Sequence, residues 1–394
     1  MRTVTVVGAS LAGLRSVEQL RLQGYDGRVV VIGEEPHRPY DRPPLSKAFL
    51  AGTVPADELA LVETDDQDDL AAQWRLGVRA EHLDVAAGVI TLSNGEEIAT
   101  DGVVIATGGR PKMLPGCEYL DGVHTLRTIE DAIALRAELA GGASTVVVVG
   151  AGWIGAEVAS TCRELGLRVT IVEAVRAPLA RTLGMEMAAV CTALHVDHDV
   201  ALRCGVGVAA FTSAPHSGGH RVTGVVLEDG TRLPADVVVV GAGMRPATDW
   251  LAGSRIDVDN GVRCDPGCVT RVPSVVAVGD VSRYQSHTGH YVRHEHWTNA
   301  AEQPATAIRN LLAGSTIDHY RPSGYVWSDQ YGLRLQFAGH TEGADEVEVI
   351  DGSPDDRKFI AAYRRNGSTI GVLAMNNAKL FTRMRRQLAS PIAS

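Results

Sequence analysis

Two stretches of this chain repeat one pattern of apolar and polar positions. Residues 3–8 are a largely apolar run, 12–24 a helical pattern closed by Gly24, and 28–33 a second apolar run. Together they predict a βαβ unit, and residues 145–173 predict another. Continuous apolar strands, rather than alternating ones, belong to parallel sheets covered on both faces. A hairpin follows each unit, over 88–105 with Asn94-Gly95 at its turn, and again with Glu228-Asp229-Gly230 at its tip. Each hairpin feeds an apolar strand, Val103–Ala106 or Val237–Val240, and a glycine turn ending in Arg-Pro. A repeated order of this kind is an internal duplication, with one domain inserted in the other. Residues 275–281 read as one more buried strand. From about Tyr320 short alternating runs such as Leu333–Phe337 predict an antiparallel sheet and a third, smaller domain. The expected boundaries are 1–112 with 238–318, then 113–237, then 319–394.

The two repeats carry the same chemistry. In the first, the strand ends in Gly8-Ala9-Ser10-Leu11-Ala12-Gly13, and Glu34 closes the run Val29–Ile32. In the second, Val146–Val149 leads into Gly150-Ala151-Gly152-Trp153-Ile154-Gly155, and Glu173 closes Val169–Val172. Strand, glycine turn and helix N-terminus form a cradle for a pyrophosphate, and an acid about 20 residues on can bond a ribose hydroxyl. Ser10 stands where the second glycine is expected, a small side chain at a point of close approach. Two cradles imply two dinucleotides, the arrangement that passes electrons between a nicotinamide and a flavin.

Charge and cysteine content narrow the partners. The formal net charge of −10 argues against a general nucleic-acid binder. From Arg357 to the end, however, there are eight Lys or Arg and no acid. The six cysteines form no C-x-x-C pair, and Cys264 and Cys268 are the one close pair, which favours a reduced, cytoplasmic protein. The first strand starts too near Met1 to leave room for a signal peptide. No apolar stretch approaches the ~20 residues of a membrane span. His294 and His296 form an H-x-H, but no further Cys/His spacing supports a metal site.

Taken together, Gly8–Gly13, Pro43-Pro44-Leu45-Ser46-Lys47, Ala106–Pro111, Leu126-Arg127-Thr128, Gly150–Glu157, Val278-Gly279-Asp280 and Trp327–Tyr331 run through the whole chain in order. They resemble the FAD-dependent NADH:ferredoxin reductases of bacterial cytochrome P450 and Rieske oxygenase systems. The resemblance implies an α/β fold with two Rossmann-like domains, in the arrangement of glutathione reductase, and a C-terminal α+β domain. It implies FAD in the first cradle and NADH in the second. The FAD set it implies is Gly8, Ser10, Ala12, Gly13, Glu34, Arg42, Lys47, Ala80, Ala106, Thr107, Gly108, Arg127, Gly279, Asp280 and Trp297. Within that set Asp280 would bond the ribityl chain, and Trp297 would lie near the flavin through its backbone unless it is a core aromatic. The NADH set is Gly150, Gly152, Trp153, Ile154, Gly155, Glu157, Glu173, Arg181 and Gly243.

Lys47 and Glu157 are implied as an ion pair at the flavin–nicotinamide junction, the catalytic pair of the reading. On their own residues, a solvated lysine and a helix-dipole acid remain open. A carboxylate at Glu173 favours the ribose diol of NADH over a 2′-phosphate, although Arg176 could receive that phosphate. Residues 36–60 hold no cysteine, so the thiol relay of disulfide reductases is missing. Electrons must then leave the flavin directly, one at a time, to an external carrier, which the resemblance implies is a [2Fe–2S] ferredoxin that serves a cytochrome P450 or Rieske oxygenase. The alternatives are a rubredoxin reductase or NADH oxidase on the same scaffold, or a non-catalytic NADH-responsive flavoprotein. If 379–388 is helical, Arg383 and Arg386 share a face and, with Arg385, offer a landing patch for an acidic carrier.

Overall fold

The computed structural model describes residues 1–61, 70–286 and 289–388; residues 389–394 of the expected C-terminal domain lie outside the described residues. The chain divides into two compact units. The first holds Met1–Asp41, Leu59–Arg110 and Arg245–Ser323; the second holds Arg42–Glu58, Pro111–Met244 and Gly324–Ser394.

In the first unit, β1 (Thr3–Val7), α1 (Leu11–Leu22) and β2 (Arg28–Gly33) form the opening βαβ, followed by β3 (Ala72–Leu76) and β4 (Gly102–Ile105). The strand Val275–Ala277 completes a parallel sheet in the order 275–277, β4, β1, β2, β3. Val4, Val6, Val29–Val31 and Val104 are fully buried, in one core with residues of α1, of the helix Trp297–Ala313 and of the antiparallel segment 80–99, which is why these strands carry no polar alternation. α1 lays Ala12, Val17 and Leu20 against them. The expected hairpin over 88–105 is a three-stranded antiparallel meander of Ala80–Asp84, Val89–Leu92 and Glu97–Ala99. Its Asn94-Gly95 turn is in place, with Gly95 at φ +83. The apolar run 275–281 is only half strand: Gly279, at φ +71, breaks it into a 3-10 turn over Gly279–Val281.

In the second unit, β5 (Thr145–Val149), α2 (Trp153–Glu164), β6 (Arg168–Glu173), α3 (Ala180–Asp197), β7 (Ala201–Cys204) and β8 (Val237–Val240) repeat the plan. Val123–His124, β8, β5, β6 and β7 lie side by side in that order. β8 pairs with β5 along its whole length, so the stretch of the second unit that begins at Pro111 runs on to Met244, past the expected boundary at 237/238. The C-terminal part is an antiparallel sheet of β9 (Val326–Gln330), β10 (Leu333–Gly339), β11 (Glu346–Ser353), β12 (Lys358–Arg365) and β13 (Ser368–Met375). Its order is β9, β10, β13, β12, β11, and α4 (Ala378–Leu388) follows. Leu335, Phe337, Phe359, Leu373 and Met375 pack on Leu183, Met187, Cys191 and Leu194 of α3. That shared core is why the antiparallel sheet belongs to the second unit.

Candidate active site

Each parallel sheet leads outward in both directions from its first strand, β1 or β5. Crevices for ligands open at the carboxyl ends of strands at such a switch point. In the first unit the switch falls between β1 and β4, where Gly8 and Ala106 meet. Gly8 sits at φ +119, and a Cβ there would strike the Ala106 carbonyl. Gly13 is equally committed, because a Cβ would strike the Gly8 carbonyl and push α1 off the turn. Ser10 is the N-cap of α1 with extended backbone, and no acid occupies the first turn. No acid of the helix's own first turn thus offsets its positive end, which suits a pyrophosphate. Gly279 brings a fourth segment to this edge, since its Cβ position lies 3.0 Å from the Cβ of Ala12. Asp280 follows it directly and is half-buried.

The turn that presents Asp280 is held by a residue sequence reasoning missed. Gln303, fully buried on the helix Trp297–Ala313, accepts the Gly279 N–H at 2.8 Å. Its amide nitrogen donates to Ser282 Oγ at 3.1 Å and Cys268 Sγ at 3.2 Å. Thr107 donates to the Ala247 carbonyl at 2.8 Å, and Gly108, at φ +61, accepts the Ala247 N–H. Glu34 ends β2 with its side chain 53 % exposed and pairs with Arg110 at 2.8 Å and Arg79 at 3.6 Å. Neither arginine was legible as its partner. Ala80 is buried at the start of the meander. Trp297 opens its helix, and its indole Nε1 donates to Asp41 Oδ1 at 2.7 Å. His294 and His296 stack at 6.1 Å, and burial depresses both, His296 to about 4.

The second cradle repeats the first. Gly150 is at φ +109, where a Cβ would strike the Gly241 carbonyl, and a Cβ at Gly155 would strike the Gly150 carbonyl. Gly152 is the N-cap of α2, and a Cβ built there meets nothing within 4 Å. Room is thus left where a phosphate would approach the backbone. Gly243 lies across the switch point at φ +87. Glu173 is half-buried, with Oε2 accepting the Ala151 N–H at 2.8 Å and Oε1 the Val175 N–H at 3.0 Å. The acid therefore ties the glycine turn to the end of β6 and still has lone pairs to spare for a diol. Ile154 and Arg181 are exposed, while Trp153 packs on the core shared by α3 and the antiparallel sheet. Both cradles fit a dinucleotide.

Also in the second unit, the prolines of Pro43–Ser46 fold a 3-10 turn that delivers Lys47. Lys47 Nζ lies 2.7 Å from Glu157 Oε2, with their side chains 19 % and 4 % exposed. The pair expected from the resemblance is therefore formed. Two serines complete it: Ser46 Oγ donates to Oε2 at 2.5 Å and Ser328 Oγ to Oε1 at 2.7 Å. Buried charge is tolerated only when paired and fully hydrogen-bonded, and Glu157 has three donors. Arg42 donates to the Arg127 carbonyl, and Arg127 N–H donates to Asp131 at 2.8 Å, so these two expected cofactor residues are brought together. Ser46 stood beside Lys47 in the sequence. Ser328 is 171 residues from Glu157 and had no local signal.

At the far end of the unit, α4 buries Phe381, with Leu380, Met384 and Leu388 packed around it, which leaves Lys379, Arg383 and Arg386 exposed. Arg385 lies over the Tyr325 ring at 4.1 Å, and Arg364 pairs with Glu348 at 2.9 Å. Among the described residues no helix is long and apolar enough to cross a membrane.

Residues 2–304 match the family described as pyridine nucleotide-disulphide oxidoreductase, and residues 325–393 match the module described as reductase C-terminal. Rhodocoxin reductase of Rhodococcus erythropolis is 35 % identical over 391 residues, spanning 98 % of this chain and 90 % of that protein. The ferredoxin–NAD(+) reductase subunit of the benzene 1,2-dioxygenase system of Pseudomonas putida is 36 % identical over 346 residues, 87 % of this chain and 82 % of that one. Among solved structures, the covalent putidaredoxin reductase–putidaredoxin complex superposes with a TM-score of 0.91 at 32 % identity, covering 98 % of this chain and 93 % of that one.

Proposed function

Because the chain belongs to the pyridine nucleotide-disulphide oxidoreductase family and carries the reductase C-terminal module, we propose that it is an FAD-containing NADH:ferredoxin reductase. Its carrier is a [2Fe–2S] ferredoxin that serves a cytochrome P450 or Rieske oxygenase, in line with the relatives of both module content and length. The observation that carries the reading is the buried Lys47–Glu157 pair, in a chain with two dinucleotide cradles and no cysteine between residues 36 and 60. Bound FAD would supply the exchange between the two-electron chemistry of NADH and the one-electron chemistry of an iron–sulfur carrier.

The chain's own residues then divide the work. Gly8, Ser10, Ala12 and Gly13 receive the FAD pyrophosphate, Glu34 the ribose, and Asp280 the ribityl chain. Ala80, Ala106–Gly108 and Trp297 complete the part of that site carried by the first unit. Gly150, Gly152, Ile154 and Gly155 receive the NADH pyrophosphate, Glu173 its ribose diol, and Trp153, Arg181 and Gly243 line the approach. Lys47 and Glu157 hold a fixed dipole at the junction, so that the nicotinamide is oriented without reorganisation of the site. The six thiols are unbridged, and burial pushes Cys162, Cys191 and Cys264 up to about 12, which suits a reduced cytoplasmic setting.

Anaerobic stopped-flow mixing with NADH, then with a [2Fe–2S] ferredoxin, tests the assignment. Flavin bleaching should be fast with NADH, slower with NADPH, and followed by reoxidation as the ferredoxin is reduced. Reoxidation by a rubredoxin or by oxygen alone would move the chain to the alternative carriers. A long-lived reduced complex that no carrier discharges would make it a non-catalytic NADH-responsive flavoprotein.

A further inference from the structure

The antiparallel C-terminal sheet reaches into the junction through one side chain. Ser328, on β9, is fully buried and donates to Glu157 Oε1 at 2.7 Å. Gln330, two residues on, donates its amide to Ser328 Oγ at 2.9 Å. A serine hydroxyl has a single proton. With Gln330 occupying an acceptor site of Ser328, that proton is committed to the carboxylate. One turn along α2, Ser160 Oγ accepts the Tyr331 N–H at 2.6 Å, which fixes the register of β9 on the helix face that carries Glu157. On the same helix face Thr161 donates to the Ser46 carbonyl at 2.8 Å, fastening the segment that carries Lys47 to α2.

The two carboxylate oxygens are thereby divided. Oε2 takes both Lys47 and Ser46, and Oε1 takes Ser328. A carboxylate held by one oxygen can swing about its terminal torsion, which is broad and soft. Held by both, it keeps Oε2 aimed at Lys47. We propose that Ser328 is a positioning residue for the nicotinamide half-reaction, so that the C-terminal sheet sets the geometry of the Lys47–Glu157 pair. The inference rests on reading that pair as the nicotinamide junction.

The test uses the FAD-loaded full chain with no carrier added. Ser328→Ala should slow flavin reduction by NADH roughly tenfold or more, the scale of one lost hydrogen bond to a charged group. Equilibrium binding of NAD+ should weaken in the same variant, while flavin content stays near wild type and the thermal midpoint falls by no more than about a few degrees. Ser328→Cys, of similar size but a weaker donor, should fall between the two. In a Glu157→Ala background, where there is no carboxylate to hold, Ser328→Ala should add less than a twofold change. Wild-type rates in Ser328→Ala overturn the proposal, as do effects of Ser328→Ala and Glu157→Ala that multiply. Should Ser328→Ala fail to fold, a wild-type rate in Ser328→Cys has the same force. A wild-type protein that NADH does not reduce would instead bring down the proposed function, and this inference with it.

Discussion

At Lys47 and Glu157 the two halves of the ion pair are not equivalent. Glu157 is almost sealed, whereas Lys47 retains contact with solvent at 19 % exposure. Removing Glu157 leaves an ammonium that can turn to water. Removing Lys47 leaves a buried carboxylate with only two serine donors. Breaking a fully buried pair costs about 3–5 kcal/mol, and the serines and the partial exposure place Lys47→Ala below that, at about 2–3 kcal/mol. Glu157→Ala should cost less, and chemical denaturation of the two variants checks the order. Both should slow flavin reduction by NADH by one to two decades with FAD still bound; an unchanged rate in both would make the pair structural. Gln303 gives a contrasting case. Gln303→Leu keeps the volume but removes the acceptor of the Gly279 N–H, so the turn bearing Asp280 should loosen and purified protein should carry less FAD. Full flavin content in that variant would show that the turn holds without it.

Among the elements, those buried on both faces were the most legible. β1, β2, β5, β6 and β8 are valine-rich runs that admit no alternative to a covered parallel sheet. The strand over 275–281 was read too long because Val281, fully buried in a 3-10 turn, is as apolar as the strand before it. The meander was read as two strands because Ala80–Asp84, with Glu81, His82 and Asp84 exposed, carries little apolar signal. The helix-to-sheet seams were not legible at all, since their partners lie far apart in the chain. One such seam predicts a pH response. His195 on α3 is buried, and its Nδ1 lies 2.7 Å from the Tyr331 hydroxyl at the end of β9. Burial, and then the neighbouring His198, hold His195 down at about 4. Its folded value is thus below its unfolded one, near 6.5. The unfolded chain binds the extra proton between those values, so stability is complete above about pH 6.5 and declines as pH falls toward 4. The share of this one histidine is up to roughly 3 kcal/mol. His195→Gln should flatten the acid limb of stability against pH by about that amount, measured by urea denaturation from pH 7 to 4. An unaltered acid limb would assign the loss to the other depressed histidines, His124, His294 and His296.

Over the whole molecule, charge is the property most unevenly distributed. The chain carries −10, yet its last 38 residues hold eight basic side chains and no acid. An acidic carrier approaching such a protein is repelled overall and attracted locally, so its on-rate depends on where the basic groups face. The structure sorts them. Arg364 pairs with Glu348, and Arg385, which the sequence reading grouped with Arg383 and Arg386, lies over the Tyr325 ring. Arg383 and Arg386 are exposed on the face of α4 opposite Phe381, with Lys379 one turn before. Reversing both, Arg383→Glu with Arg386→Glu, changes the local charge by four units without touching the buried face of the helix. Reduction of a [2Fe–2S] ferredoxin at low salt should fall about tenfold, mainly through the association step. The dependence of that rate on ionic strength should flatten, because screening over a Debye length of about 10 Å at 0.1 M has less attraction left to remove. Ferricyanide, a small acceptor that needs no docking surface, should be reduced at nearly the wild-type rate and so certifies fold and flavin. A ferredoxin rate at low salt equal to wild type would exclude this face of α4 as the landing site. A tenfold loss at low salt that narrows as added salt slows the wild type toward the variant would place the carrier on it.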